Sequence, residues 1–223
     1  MDESLATLSG DKVILSKEEL ILKGFKDIGL KKSTVLYKPD FLSPSNATEL
    51  KDKILKSINL EKKPLEGRLT ALYGNSERYD YAKNQGKPLP FTPELEQVIK
   101  DVESLTGYIY NVSLINYYKN GKEQFRFHAD TEELGNKVPI VSITLMEEGV
   151  ARPFDFIEQK NLDEKEERSK SEFLRMDLEH GSILLMYSET HEHYLHRLPN
   201  SKTKKDRLNI TLRHVDVSKY ENK

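Results

Sequence analysis

Apolar residues change their spacing along this chain at Gly107. Before it, Leu50, Ile54 and Ile58 recur every four residues. Leu95, Val98, Ile99, Val102 and Leu105 recur every three or four, as one buried face of a helix requires. The second run carries its own punctuation, with Thr92 as N-cap, Pro93 at the first helical position and Gly107 at the end. Asn46, with Glu49 three residues on, opens the first helix in the manner of a capping box. After Gly107 the period drops to two. YIYNVSLINYY, PIVSITLM, RPFDFI, SILLMY and RLNITLRHV read as strands, and VLYK reads as a strand ahead of the first helix. Helices first and strands after predict an α+β, mainly β fold, a sandwich or barrel buttressed by two helices.

The rest of the chain lacks a period. Residues 1–33 are polar and lysine-rich and form an N-terminal extension expected to dock loosely. Residues 34–223 make a single domain. Within it, residues 60–91 read as a long loop rich in Gly, Pro, Tyr and Arg, and loops of that length in compact domains are functional or disordered. Residues 158–172 are charged and read as a solvated loop.

Composition narrows the chemistry. Charged residues make up 32% and the net charge is −2, so any nucleic-acid contact needs a local basic patch. The chain has no cysteine, which excludes disulfides and thiolate metal sites. A metal would have to be held by His, Asp, Glu and water. No secretory signal and no run of about 18 apolar residues is visible, so a membrane is not an expected partner, and the nucleus or cytosol is the expected compartment.

Strand alternation then groups the polar residues. Asn116 and Tyr118 share a face of VSLINYY, His128 and Asp130 share a face of FHAD, and Arg207, Asn209, Thr211 and Arg213 share a face of RLNITLR. Two imidazoles and a carboxylate leave adjacent metal positions open, as in non-haem Fe(II) oxygen chemistry. Paired arginines suit a dicarboxylate, because guanidinium binds carboxylate as a planar fork. The third ligand is His191, His193 or His196 on these grounds. A zinc hydrolase or an inactive binding module could use the same ligands, but neither needs both arginines.

The order of HAD, a distant histidine and RLNITLR, with NYYKNG, HGSILLMY and HYLHRLP between and around them, resembles the AlkB-type Fe(II)- and 2-oxoglutarate-dependent dioxygenases. RLNITLR fits that family's R-x-N-x-T-x-R pattern in full, and the resemblance runs from Arg68 to Val215. It implies a double-stranded β-helix, or jelly roll. It implies Fe(2+) on His128, Asp130 and His196, the last by its place just before Leu-Pro, and 2-oxoglutarate and O2 as cosubstrates. Asn116, Tyr118 and Arg207 would hold the 2-oxoglutarate carboxylates, with Arg213 near the metal and Asn209 assisting.

The resemblance further implies oxidative demethylation of N-alkylated bases such as 1-methyladenine and 3-methylcytosine in DNA repair, with an RNA or tRNA substrate as the alternative and a monomeric protein. RLTALYGN, residues 68–75, resembles the loop that grips the flipped nucleotide, which makes Arg68 and Tyr73 substrate residues alongside Glu132. Tyr79 and Tyr81 are further candidates. Arg152 and Phe156 lie on a strand that can line the pocket, and Lys202, Lys204 and Lys205 form a loop suited to phosphate.

Overall fold

Hydroxyl caps and prolines start the two long helices. In a computed structural model that describes residues 13–62, 68–75, 79–81, 84–86, 88–159 and 173–215, helix α1 spans Lys17–Leu22, α2 spans Pro44–Ser57 and α3 spans Pro93–Thr106. The Thr92 hydroxyl accepts the Leu95 N–H at 3.4 Å, and Gly107 closes α3 with φ +80°. A Cβ there would collide with the Val13 backbone, so only glycine fits. Helix α2 starts three residues earlier than the Asn46 reading. Ser43 is the cap, its hydroxyl accepting the Asn46 N–H at 3.3 Å, and Pro44 takes the first position, where its missing N–H costs nothing.

The strands, in chain order, are β1 (Lys26–Asp27), β2 (Val35–Lys38), β3 (Glu61–Lys62), β4 (Leu69–Gly74), β5 (Tyr79–Tyr81) and β6 (Asn84–Gly86) before α3. After it come β7 (Val112–Tyr118), β8 (Phe125–His128), β9 (Ile140–Leu145), β10 (Ala151–Glu158), β11 (Leu174–Glu179) and β12 (Ser182–Met186). A short helix α4 (Ser188–His193), β13 (Tyr194–Leu198) and β14 (Arg207–Arg213) complete the order. An eight-stranded sheet runs β1-β2-β12-β9-β14-β7-β4-β3, and a four-stranded sheet runs β11-β10-β13-β8. The paired strands in both are antiparallel, which gives the mainly-β, two-sheet jelly roll expected from the sequence.

Two cores follow from this layering. Helices α2 and α3 cover the outer face of the large sheet, where Ile54, Leu95 and Val102 pack with Ile115, Ile143, Leu208, Ile210 and Leu212. Each of these buried side chains contributes about 1.5–3 kcal/mol by leaving water. Between the sheets, Tyr118, Phe154, Phe156, Leu184, Met186 and Leu198 form the second core, which also walls the polar pocket.

The extension is not loose in its described part. Leu20 and Phe25 are buried in the helix-side core, and β1 pairs with β2. Part of the stretch read as a loop is also ordered into the large sheet, since β4 pairs along its whole length with β7. Residues 63–67, most of the charged 158–172 run and residues 216–223 lie outside the described residues. No helix among the described residues is long and apolar enough to cross a membrane.

Candidate metal centre and cosubstrate pocket

Three strands of the large sheet place one polar row at its centre. Asn209 of β14 stands opposite Asn116 of β7 on one side and Thr144 of β9 on the other, and Arg207 stands opposite Tyr118. A period of two then sends Arg207, Asn209, Thr211 and Arg213 to the inter-sheet side, while Leu208, Ile210 and Leu212 face the helices. On the small sheet, His196 of β13 stands opposite His128 of β8. Asp130 follows β8 and caps a short 3-10 turn, Thr131–Glu133. The pocket between the sheets is lined by His128, Asp130, His196, Asn116, Tyr118, Arg207, Asn209 and Arg213 together.

The three proposed ligands converge. One ligand atom each from His128, Asp130 and His196 lies within 4.8 Å of the others. His128 Nδ1 donates to the Arg126 carbonyl at 2.8 Å, because a carbonyl can only accept. That fixes the tautomer and leaves Nε2 with its lone pair, the usual arrangement behind a ligating imidazole. His196 Nε2 is 3.6 Å from Asp130 Oδ2, beyond a hydrogen bond, so this nitrogen is not tied to the carboxylate. Burial lowers the pKa of both histidines, well below the ordinary value at His196, and keeps them neutral. Burial alone would raise the Asp130 carboxyl, but the Arg213 guanidinium at 2.9 Å opposes it and holds it well below the usual carboxylate range. Arg213 engages Oδ1, so Oδ2 is the oxygen turned to the histidines. Two neutral imidazoles and one ionised carboxylate are a donor set that fits Fe(II).

The Arg207 end of the pocket is cationic. Arg207 is 2% exposed, donates from Nη2 to the Thr144 hydroxyl at 2.9 Å and, among the described residues, pairs with no carboxylate. Burial pulls its pKa down to about 10; Tyr118 opposes this and the neighbouring Arg152 adds to it. A buried guanidinium of this kind calls for an anion. Asn116 accepts from Arg68 Nε at 2.8 Å and donates toward Asn209 at 3.4 Å. Asn209 spends its whole capacity inside the wall. Its amide donates to Ser142 and to the Ile143 carbonyl, and its oxygen accepts from Thr211 and Asn116. It organises the row and has no bond left for a cosubstrate, in contrast to the assisting role expected of it.

The substrate residues divide. Glu132 meets the pocket-lining Arg213, Oε1 to Nη1 at 3.4 Å. Arg68 is buried, with its guanidinium 3.9 Å from the Phe125 ring centroid and bonded to Asn116. It lies against two pocket-lining residues, away from solvent. Tyr73 is a correction. It has the opposite parity to Arg68, packs 3% exposed in the helix-side core, and its hydroxyl accepts the Asn59 N–H at 3.1 Å, so it cannot touch a nucleotide in the pocket. Tyr79 and Tyr81 fall on the β5–β6 hairpin, and their side chains lie outside the described residues. Of the other residues named from sequence, Phe156 is core, and Arg152 is fully buried, donating to the carbonyls of Asn120, Gly121, Glu123 and Pro199. Lys202, Lys204 and Lys205 are exposed, and Lys205 pairs with Glu147 at 2.6 Å. His191 is buried with its ring edge-on to His196 at 5.7 Å, whereas His193 is half-buried at the end of α4.

Two aromatic walls were not foreseen. Phe125 lies 4.0 Å from the His128 ring centroid, and Phe154 stacks on His196 at 5.5 Å. Phe154 shares its parity with Phe156, so alternation along RPFDFI could have found it. Phe125 and His128 face the same pocket despite a spacing of three, because β8 and β13 change register between His196 and Leu198.

Residues 34–213 match the 2OG-Fe(II) oxygenase superfamily. The chain is 35% identical over 151 residues to the DNA oxidative demethylase ALKBH2 of Bos taurus, covering 66% of this chain and 53% of that protein. It is 34% identical over 155 residues to ALKBH2 of Homo sapiens, covering 68% and 58%. To the human alpha-ketoglutarate-dependent dioxygenase alkB homolog 3 it is 30% identical over 150 residues, covering 66% and 51%. The chain thus spans between about half and three-fifths of the length of these relatives. Among solved structures, OsALKBH1 superposes with a TM-score of 0.57 at 13% identity, over 85% of this chain and all of that one, a likeness of fold.

Proposed function

This chain belongs to the 2OG-Fe(II) oxygenase superfamily and is AlkB-like within it, and from that premise we propose that it is an oxidative demethylase of N-alkylated bases in nucleic acid, with DNA as the favoured substrate. The observation that carries the reading is the convergence of His128, Asp130 and His196 in one pocket with the uncompensated Arg207. Bound Fe(II), with 2-oxoglutarate and O2, supplies a two-electron oxidation of a C–H bond. Overall, the N-methyl carbon gains one oxygen atom, the other oxygen of O2 enters succinate as CO2 leaves, and the N–CH2OH product releases formaldehyde to restore the N–H or ring nitrogen.

The residues of the chain supply placement and charge. His128 and His196 stay neutral at pH 7, and the Arg126 carbonyl leaves His128 its Nε2 lone pair. Arg213 keeps Asp130 ionised and turned inward. Arg207 and Tyr118 receive the distal carboxylate of 2-oxoglutarate, and Asn116 meets the cosubstrate from β7. Glu132, beside the pocket-lining Arg213, offers a negative partner to the positive charge of a 1-methyladenine or 3-methylcytosine. The names of the ALKBH2 relatives support the DNA substrate.

The test offers the protein methylated duplex DNA, single-stranded DNA and RNA in competition, with Fe(II), ascorbate and 2-oxoglutarate, and follows loss of methyl mass by mass spectrometry. Demethylation of DNA ahead of RNA is expected. Turnover of methylated RNA with every DNA left intact would overturn the substrate and spare the oxygenase.

A further inference from the structure

Each imidazole ligand has a neighbour on the reverse face of the small sheet. Phe127 precedes His128 on β8, and Arg197 follows His196 on β13. The Arg197 guanidinium lies 4.3 Å from the Phe127 ring centroid. The reverse face therefore joins the same two strands whose front face carries the histidines. Arg197 Nε donates to Asp155 Oδ2 at 2.8 Å. Arg175 grips both oxygens of Asp155, from Nε at 2.6 Å and from Nη2 at 2.9 Å. Asp155 is fully buried on β10 and stands in register opposite both arginines. Arg175, Asp155, Arg197 and Phe127 thus form one strap that crosses all four strands of the small sheet.

The strap's last link falls where backbone pairing is sparsest. Strand β10 is registered with β11 at six positions and with β13 at four. Strand β8 is registered with β13 at two, His196 opposite His128 and Leu198 opposite Phe125, with an irregularity between them. A bulged, short pairing leaves a strand free to slide and tilt. Yet β8 carries His128 and leads directly into Asp130. Metal–ligand distances tolerate only about 0.2 Å of error, so this strand needs a second anchor. The Arg197–Phe127 stack is placed to be one. Asp155 in turn fixes the plane of the guanidinium that makes it.

We propose that the Asp155–Arg197–Phe127 strap is a positioning device for the metal ligands: it sets the separation of β8 and β13, and through it the approach of His128 to His196. The inference rests on the metal-centre reading given above. Arg197 and Phe127 act through the backbone and touch neither metal nor cosubstrate. Lysine could keep the charge at 197 but has no planar face to lay on the ring or fork to meet the carboxylate.

The experiment uses Mn(II), a redox-silent substitute for Fe(II), with the full chain. Calorimetry reads its affinity and electron paramagnetic resonance reads the order of its coordination. Asp155→Asn and Arg197→Gln should weaken Mn(II) binding about tenfold or more, the range found when groups supporting a ligand are removed, and should broaden the resonance. Arg197→Lys should not restore either. Leu178→Ala is the control for simple loss of stability. Leu178 is buried in the same sheet and has no part in the strap. That variant should melt earlier yet bind Mn(II) as the unmodified protein does. Unchanged Mn(II) affinity in Asp155→Asn and Arg197→Gln, or a matching loss in Leu178→Ala, overturns the strap while the metal centre stands. Failure of the unmodified protein to take up Mn(II), or full uptake by His196→Ala, overturns the metal-centre reading itself and the strap with it.

Discussion

Replacing Arg207 with methionine should move two quantities in opposite directions. Arg207 is 2% exposed and, among the described residues, has no carboxylate partner; its firmest bond is to the Thr144 hydroxyl. Without cosubstrate it is a desolvated charge, next to a second buried cation, Arg152. Methionine fills the same volume without that penalty, so the cosubstrate-free variant should melt at the same temperature as the parent or higher. With 2-oxoglutarate the order reverses. Losing a buried, charge-assisted fork to a carboxylate costs roughly 2–5 kcal/mol, about a thirtyfold to several-thousandfold loss of affinity. At a concentration near one hundred times the dissociation constant, the parent gains about 2.7 kcal/mol from the ligand. For a domain of this size that is a melting shift of roughly 5–10 °C. A thirtyfold weaker variant keeps about 0.9 kcal/mol of this at most, a shift of about 2–4 °C. Thermal unfolding with Mn(II), with and without 2-oxoglutarate, reads both effects in one titration. A variant that keeps the full ligand-induced shift would refute the assignment of Arg207 to the distal carboxylate.

Further outcomes follow from the same geometry. Tyr73→Ala should destabilise the fold by about 3–5 kcal/mol in denaturant titrations, as loss of a large core aromatic does, while the folded fraction keeps its affinity for methylated oligonucleotides; a selective loss of affinity would return Tyr73 to the substrate site. Glu132→Gln should slow demethylation of cationic lesions more than that of a neutral etheno-adduct, and equal slowing of both would remove its charge from recognition. In the metal-free protein, burial holds His128 and His196 neutral, with pKa values below the ordinary one. The unfolded chain takes up those protons below about pH 6.5 and the folded chain does not. The stability is therefore full above that pH and declines as pH falls below it, so melting with chelator present should drop from pH 7.5 to 5.5. A His128→Gln variant should drop less, and an equal drop would contradict the assignment.

The chemistry was legible where one face of a strand differs sharply from the other. In RLNITLR the apolar face is Leu208, Ile210 and Leu212, so a slip of one residue would bury the arginines among the helices, and only one register is tenable. The same logic was available in RLTALYG and was missed because the stretch looked like a loop. Arg68 and Thr70 face inward with Asn116, so Tyr73 must face the helices. Phe125 beside His128 was not legible, because a change of register breaks the period there and no local residue type announces it. Anchoring of the extension was also hidden. Leu20, Ile21 and Leu22 are equally apolar in a lysine-rich segment, and only the tertiary structure shows that Leu20 and Phe25 are buried while Ile21 and Leu22 are exposed. The start of α2 was ambiguous, since Asn46 with Glu49 and Ser43 with Pro44 are both sound caps; proline at the first position decided it.

The central claim is that His128, Asp130 and His196 form an iron centre that couples 2-oxoglutarate to demethylation of a base. Its most direct measurement is the yield of formaldehyde and succinate, in single-turnover reactions on an oligonucleotide carrying 3-methylcytosine, for the parent, His196→Ala and His193→Ala. The parent and His193→Ala should release the two products in equal amounts and only with Fe(II) present, and His196→Ala should release neither. Turnover by His196→Ala with none by His193→Ala, or succinate from the parent with no formaldehyde from any methylated nucleic acid, would contradict it.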